Sequence, residues 1–170
     1  DEDLAEEMLR ACSLGTLNAL ELARRHGSSF LFTSTAEIYG QPEVFPQSET
    51  YHGNVDPVGP RSPYEEGKRF SESLVAMYVR KYGLQAKIVR IFNSYGPGMS
   101  LKDERVIPHF FRCIKEGRRL RVYGDGRQTR THLYIDDLLW GLFLVMEKGR
   151  SGEVYNVGST VQTPIRDLAR

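Results

Sequence analysis

The chain has 170 residues, with 23 Lys and Arg against 22 Asp and Glu, which gives a formal net charge of +1 at pH 7. Hydrophobic residues make up 40% and aromatic residues 11%, a composition typical of a folded domain and not of a disordered segment. The balanced charge argues against a nucleic-acid binder that relies on bulk electrostatic attraction.

No segment approaches the roughly 18 consecutive apolar residues of a membrane-spanning helix, so we expect no membrane partner. The acidic start at Asp1 does not resemble a signal or transit peptide. Cys12 and Cys113 lack CxxC spacing, which predicts two buried thiols in a reducing cytoplasm. The histidines show no metal-ligand spacing, and we expect no metal site.

The first part of the chain predicts a helix, a strand and a long loop. Apolar residues recur at helical intervals from Asp3 to Arg25, with acidic residues at the start and basic residues at the end. An apolar run over residues 29–34 predicts a buried strand. Residues 40–63 show no periodicity, and a loop this long is usually functional or mobile. We disfavour a disordered linker because the loop has three candidate apolar anchors, Phe45, Tyr51 and Val58.

Helices and strands alternate after this loop. The predicted elements are a helix over 64–82, a strand over 87–92, a helix over 107–115, strands over 120–123 and 132–135, a helix capped by Asp136 that ends near Lys148, a strand over 154–157 and a helix that begins at Thr163-Pro164. This alternation indicates an α/β fold with a parallel sheet.

Tyr64 and Lys68 form a YxxxK motif and share one face of the predicted helix. An ammonium group next to a phenol favours the phenolate, which removes a proton from a sugar hydroxyl while hydride leaves the carbon. The alternative is an ordinary surface pair. Thr35 and Glu37 raise the weight of the catalytic interpretation because they follow a predicted parallel strand, where α/β folds place ligands. Each alone is also compatible with a turn residue or a solvated acid.

Three stretches resemble the extended short-chain dehydrogenase/reductases that act on nucleotide sugars. They are STAEIYG at 34–40, YEEGKR at 64–69 and RIFNSYGP at 90–97. The segment from VYGDG at 122–126 to YIDD resembles the substrate side of that family. Within that family, EGKR at 66–69 and the loop over 42–49 are most similar to the UDP-glucuronate decarboxylases, which are also called UDP-xylose synthases. The likeness covers the chain from about Leu14 to its end.

The resemblance implies a Rossmann-like, doubly wound parallel sheet with a smaller C-terminal substrate-binding region. Residues 1–97 would be the C-terminal part of the NAD-binding domain. Residues 98–170 would mainly bind the nucleotide sugar, with some segments returning to the sheet. Because neither GxGxxG nor GxxGxxG occurs in the sequence, we expect the N-terminal βαβ units to be missing and this stretch alone to be inactive and poorly stable.

The resemblance also assigns catalytic roles. Tyr64 would deprotonate the sugar 4-hydroxyl, Thr35 would hydrogen-bond the same oxygen, and hydride would move from C4 to NAD. Lys68 would also hold the nicotinamide ribose, and Ser34 would belong to the cofactor site with Tyr64 and Lys68. Glu37 would orient the sugar or manage the proton that returns to C5.

Further residues would contact the substrate. Arg130 would orient its carboxylate or stabilise developing charge. The remaining candidates are Asn93, Arg105, Val122 and Tyr123. For these, a turn asparagine, a solvated arginine and strand core are the alternatives.

Other functions stay open at this point. Dehydratases of the family carry an Asp-Glu pair after the threonine, whereas this chain has Ala36 before Glu37. Epimerases of the family typically lack the glutamate, and the decarboxylases most often have serine at the Ala36 position. A nucleotide-sugar-binding pseudoenzyme is the non-enzymatic alternative. The resemblance further implies a homodimer through the helices over 3–25 and 64–82.

Overall fold

The computed structural model describes residues 2–170. Its α-helices are α1 (Glu2–Arg10), α2 (Thr16–His26), α3 (Ser62–Tyr82), α4 (Val106–Lys115), α5 (Ile135–Lys148) and α6 (Ile165–Leu168). Its strands are β1 (Phe30–Thr35), β2 (Ala86–Ile91), β3 (Ser94–Tyr95), β4 (Thr129–Thr131), β5 (Leu133–Tyr134), β6 (Val154–Val157) and β7 (Gln162–Pro164). A π-helical turn (Ala11–Gly15) joins α1 to α2, and a 3-10 turn (Ala36–Tyr39) follows β1.

The chain forms two compact units. The first consists of the chain up to Ile91 together with Gly141–Val157. The second consists of Phe92–Trp140 and Gly158–Arg170. The chain therefore leaves the first unit after β2 and returns to it within α5.

The first unit contains a parallel sheet in the order β1-β2-β6. The β1–β2 register runs from Phe30 opposite Ala86 to Thr35 opposite Ile91. The carboxyl ends of parallel strands lie at one edge of their sheet, so the residues that follow Thr35 start from the edge where α/β folds bind ligands. The predicted α/β fold with a parallel sheet is confirmed.

Helices α2 and α3 build the core of this unit against the sheet. The buried cluster consists of Leu20, Ala23, Phe32, Val75, Tyr78, Leu84, Ala86 and Ile88. Each fully buried aliphatic or aromatic side chain of this kind contributes roughly 1.5–3 kcal/mol. The cluster fixes α3 on the sheet and so determines where the first turns of α3 lie relative to β1.

The π-helical turn packs closely on α3. Ser71 Oγ donates a hydrogen bond of 2.6 Å to the carbonyl oxygen of Cys12. A Cβ atom at position 67 would lie 3.2 Å from Cys12 Cβ, so Gly67 allows this close approach of the two helices. Both cysteines are free and buried, as the sequence predicted.

The long loop is held mainly by polar contacts. Tyr51 stacks on Tyr39 with ring centroids 5.8 Å apart, which agrees with its predicted anchoring role. The prediction was wrong for Phe45 and Val58, because these side chains are 51% and 90% exposed. Backbone carbonyl groups of the loop accept hydrogen bonds from buried side chains instead, including Arg90 Nη1 to Glu49 O at 2.9 Å.

The second unit contains two small sheets and α4. Strands β3 and β5 pair in parallel, and β4 pairs with β7 in antiparallel orientation. The predicted strand over 120–123 is wrong, since this segment is irregular. The residues Arg121 and Tyr123 line a cavity there, so tertiary contacts override their strand propensity.

The last two helices, α5 and α6, start at other residues than predicted. Helix α5 begins at Ile135, so Asp136 lies in its first turn and does not cap it. Its carboxylate still complements the positive end of the helix there. Thr163 and Pro164 belong to β7, and α6 starts one residue later, because Thr163 pairs with Arg130 of β4.

Within residues 2–170, every helix is either too short or too polar to cross a lipid bilayer.

Candidate active site

Thr35 ends β1 and caps the 3-10 turn that follows it. Its Oγ1 accepts a hydrogen bond of 3.2 Å from the backbone N–H of Glu37. This bond turns the chain away from the sheet directly after the strand, and it fixes the backbone from which the Glu37 side chain projects. Thr35 is buried, whereas the Glu37 side chain is 41% exposed. The carboxylate is therefore open to a ligand at the carboxyl edge of the sheet.

Ser34 is also buried, and its hydroxyl is already used within the protein. Its Oγ donates a 2.6 Å hydrogen bond to Glu72 Oε1 on α3. Successive side chains of a strand point to opposite faces, so Ser34 and Thr35 are directed differently. The predicted cofactor role of Ser34 stays a prediction.

Helix α3 brings the YxxxK motif to the end of β1. Pro63 lies in the first turn of the helix, where its missing N–H leaves no helical hydrogen bond unmade. Lys68 Nζ donates to the carbonyl oxygen of Thr33 at 2.8 Å and lies 5.1 Å from the centroid of the Phe32 ring. The ammonium group is thereby fixed to the strand that ends at Thr35.

Arg61, immediately before α3, makes a second connection to the same segment. Its Nε donates to Glu65 Oε1 at 3.0 Å, and its Nη2 pairs with Glu37 Oε2. Residues 61, 64 and 68 are spaced three and four apart, so they follow one face of the helix. Because Arg61 and Lys68 both contact β1 or the turn after it, the face that carries Tyr64 is directed towards that end of the strand.

A buried polar network connects β2, α3 and the 3-10 turn that carries Glu37. Arg90 on β2 and Glu72 on α3 form a two-pronged ion pair, with Nε–Oε1 3.0 Å and Nη2–Oε2 2.8 Å. Arg90 Nη1 also donates to the hydroxyl of Tyr39 at 2.9 Å, and that hydroxyl donates to Asn156 Oδ1 at 2.8 Å. Burial by itself lowers the pKa of Arg90, but its hydrogen bonds to Glu72, the charge of Glu72 and the contact with Tyr39 together outweigh burial and raise that pKa above its ordinary value.

The network binds both flanks of the turn that carries Glu37. Ser34 precedes this turn and Tyr39 ends it, and both are bonded to the Arg90–Glu72 pair. The sequence analysis missed Arg61, Glu72 and Arg90. The only local signal was the spacing of Arg61, three residues before Tyr64.

The second unit contains a cavity of about 320 Å³, within the size range of small-molecule sites. Three arginines and one glutamate provide its charged lining, namely Arg105, Arg121, Arg130 and Glu104. This excess of positive charge suits an anionic ligand.

The cavity brings together most of the substrate residues predicted for this part of the chain. Asn93, Arg105, Tyr123 and Arg130 line it. Val122 is not part of the lining, and its side chain lies beside Gly126, where an added Cβ would be 2.9 Å from Val122 Cγ1. The roles of these residues in binding stay predictions.

Arg105 is held at the cavity wall by Asp103. Its Nε and Nη2 donate to Asp103 Oδ2 at 2.8 and 2.6 Å, and its backbone N–H donates to Oδ1 at 2.8 Å. The side-chain hydrogen bonds from Arg105 lower the pKa of Asp103 below its usual value. His132, which the sequence analysis did not select, also lines the cavity. Burial, followed by the charge of Arg130, lowers the pKa of His132, so the neutral imidazole is favoured.

The family of the chain follows from its match to known proteins. Residues 2–158 match the NAD dependent epimerase/dehydratase family. The chain belongs to this family. Membership accounts for the parallel sheet of the first unit.

Two relatives of the chain carry the same name, UDP-glucuronic acid decarboxylase. The chain is 44% identical over 162 residues to a UDP-glucuronic acid decarboxylase 1 of Xenopus tropicalis. This match covers 95% of the chain and 38% of that protein. It is 47% identical over 156 residues to a UDP-glucuronic acid decarboxylase 1 of Arabidopsis thaliana, covering 92% of this chain and 36% of that protein. The chain therefore spans well under half the length of these two relatives.

Solved structures of the family have the same fold. A UDP-glucose 4-epimerase of Thermotoga maritima, solved with UDP-glucose, matches 94% of this chain and 51% of its own, with 31% identity and a TM-score of 0.84. A dTDP-glucose 4,6-dehydratase of Bacillus anthracis, solved with NAD, matches 95% of this chain and 50% of its own, with 28% identity and a TM-score of 0.81. The Rossmann-like fold is confirmed.

The residues of the first unit fit one end of a nicotinamide cofactor. An ammonium group has three donors, and the carbonyl of Thr33 takes one of those on Lys68. The remaining donors suit vicinal hydroxyl groups such as those of a ribose. Among residues 2–170, no group of three or more His, Cys, Asp or Glu side chains is arranged to hold a metal ion.

Proposed function

We propose that the protein to which this chain belongs converts UDP-glucuronate to UDP-xylose, or to its 4-keto intermediate, by transient oxidation at C4 with NAD. In this proposal Tyr64 and Lys68 hold the nicotinamide end of the cofactor, and Asn93, Arg105 and Arg130 contact the nucleotide sugar. The names of the relatives at 44% and 47% identity support the choice of substrate.

One observation carries the proposal. Lys68 is bonded to the carbonyl of Thr33, and Arg61 pairs with Glu37, so α3 is connected to the end of β1 on both sides of Tyr64. We infer that the phenol of Tyr64 lies near the ammonium group of Lys68, the hydroxyl of Thr35 and the carboxylate of Glu37 at one edge of the parallel sheet. The phenol, the ammonium group and the hydroxyl suit reversible oxidation of a sugar alcohol, and the carboxylate suits a later proton transfer.

The residues of the first unit would divide the chemistry as follows. Tyr64 takes the proton of the 4-hydroxyl, and Thr35 hydrogen-bonds the same oxygen and orients it. Lys68 holds the nicotinamide ribose through the ammonium donors that the carbonyl of Thr33 does not use. Bound NAD would supply a reversible acceptor for the hydride of C4.

Loss of carbon dioxide then follows from the structure of the oxidised sugar. The carboxylate on C5 is β to the new ketone at C4, so the C5–carboxylate bond breaks and its electron pair enters an enolate. The enolate takes one proton at C5, for which Glu37 is the candidate donor or relay. Arg130 is proposed to bind the carboxylate of the substrate.

The test uses the complete gene product with NAD and UDP-glucuronate. If the hydride returns to C4 and the product is UDP-xylose, we expect release of carbon dioxide and a product lighter by about 44 mass units, the mass of CO₂, with no net consumption of NAD. If the 4-keto intermediate is released, we expect a product lighter by about 46 mass units and one NAD reduced for each carbon dioxide. Loss of water from a neutral nucleotide hexose would instead indicate a dehydratase, and inversion at C4 without a mass change would indicate an epimerase. Binding of the nucleotide sugar without turnover would indicate the pseudoenzyme.

We also propose that the protein is a homodimer in the cytoplasm, assembled through α1, α2 and α3. Large apolar side chains are exposed on these helices, including Leu22 at 60% and Phe70 at 51%, and on the π-helical turn that joins α1 to α2, where Leu14 is 55% exposed. Sedimentation velocity of the complete protein should show two chains, and Leu14→Glu should shift it towards one chain. Val161→Glu, an exposed position in the second unit, is the matched control and should leave the dimer intact. A Leu14→Glu variant that sediments as wild type contradicts this interface.

A further inference from the structure

Arg61 lies where the helix that carries Tyr64 begins. Its carbonyl oxygen accepts hydrogen bonds of 3.1 Å from the backbone N–H groups of Tyr64 and Glu65. The backbone of Arg61 therefore belongs to the same first turn as Tyr64, and the position of its side chain is tied to that turn. None of the roles assigned above uses this guanidinium group.

The guanidinium group is shared between two carboxylates of different burial. The Glu65 side chain is only 9% exposed, and its ion pair with Arg61 Nε supplies the positive charge that a buried carboxylate needs. The Glu37 side chain is 41% exposed and takes the opposite part of the guanidinium, at Nη2. Because the guanidinium is planar and rigid, holding Glu65 at one edge determines where the other edge meets Glu37.

These contacts link the start of α3 to the end of β1. Glu65 is adjacent to Tyr64 and anchors Arg61, which in turn holds the carboxylate of Glu37 after β1. A glutamate side chain has three rotatable bonds and is otherwise free to move at this exposure. Arg61 thus restricts Glu37 to one region beside the turn of α3 that carries Tyr64.

We propose that Arg61 is a positioning residue that holds Glu37 on one face of the sugar, so that the enolate receives its proton at C5 from that face only. This inference rests on the proposed decarboxylation. In the step concerned, the enolate left by departure of CO₂ gains one proton at C5 and becomes the ketone at C4. Arg61 itself neither gives nor takes a proton.

The stereochemistry at C5 provides the test. In D₂O, C5 of the product gains one deuterium, and the complete wild-type protein should place it in a single configuration, read by NMR of the C5 proton. Arg61→Met should lower kcat by roughly 10- to 100-fold and give a mixture of both configurations. Retention of a single configuration by Arg61→Met overturns the proposal whatever the rate, since a merely structural role reduces the active fraction without changing the face of protonation.

Two further variants distinguish the proposed role of Arg61 from a general loss of folding. Arg61→Lys keeps a positive charge for the buried Glu65 but lacks the fork that reaches two carboxylates, so it should also give a mixture. In a Glu37→Gln background, Arg61→Met should change kcat by no more than about threefold, because the residue acts through Glu37. An Arg61→Lys product of one configuration, or equal losses in both backgrounds, overturns the proposal.

The control is Arg118→Met, which removes another exposed arginine that pairs with a glutamate, Glu116. It should keep both the rate and the single configuration of the wild type. If the wild-type protein releases no carbon dioxide from UDP-glucuronate, both the proposed function and this inference fail. That outcome is distinguished from failure of the inference alone, in which the wild type is active and Arg61→Met retains its stereochemistry.

Discussion

Replacing Tyr64 by phenylalanine is expected to lower the kcat of the complete protein for carbon dioxide release by roughly 10²- to 10⁴-fold, the usual contribution of a general base. The substitution removes one oxygen atom and leaves the ring and the helix in place. Lys68 keeps its hydrogen bond to Thr33 O, since that bond does not involve the phenol. The loss should therefore appear in kcat, with a change in KM that is small by comparison.

The control for this variant is Tyr82→Phe. Tyr82 ends the same helix, its side chain is 44% exposed, and it lies five turns from Tyr64. The same chemical change at this position should leave kcat within about twofold of the wild type. A Tyr64→Phe variant that retains wild-type kcat would contradict the assignment of Tyr64 as the proton acceptor.

Replacing Glu72 by methionine is expected to reduce the free energy of unfolding by about 3–5 kcal/mol, because it leaves the guanidinium of Arg90 buried without its counter-charge. The Arg90 and Glu72 side chains are only 10% and 12% exposed, so water does not replace the lost partner. Ser34 Oγ also loses the acceptor of its hydrogen bond. Urea denaturation of the complete protein, followed by circular dichroism, measures the change.

Two comparisons identify the cause of this destabilisation. The double variant Glu72→Met/Arg90→Met removes both charges, and we expect it to be more stable than Glu72→Met alone. Glu116→Met breaks an ion pair whose side chains are 48% and 56% exposed, and it should change the stability by no more than about 1 kcal/mol. A double variant that is less stable than Glu72→Met would show that the penalty does not come from an unpaired charge.

Local patterns were sufficient to place the chemical motifs on the right elements. The apolar run before Thr35 predicted a strand that the structure shows at Phe30–Thr35, and Pro63 and Gly83 marked the bounds of a helix that runs over Ser62–Tyr82. These predictions succeeded because strand burial and helix capping depend on residues that are neighbours in sequence.

Predictions failed where the local pattern and the tertiary contacts disagree. The residues of 120–123 alternate as a strand would, yet Arg121 and Tyr123 line a cavity and the segment is irregular. Val58 is apolar, yet its side chain is 90% exposed on a loop that polar contacts hold in place. Apolar character alone does not determine burial, because the available core position depends on distant parts of the chain.

The sequence by itself determined the fold class, the strand that ends at Thr35 and the helix face shared by Tyr64 and Lys68, since each rests on short-range periodicity. Only the tertiary structure decided that Arg61 pairs with Glu37 and that Arg90 pairs with Glu72. Arg61 and Glu37 are 24 residues apart, and Arg90 and Glu72 are 18 apart. Such pairs form only after the sheet and helices have packed, so no spacing rule along the chain indicates them.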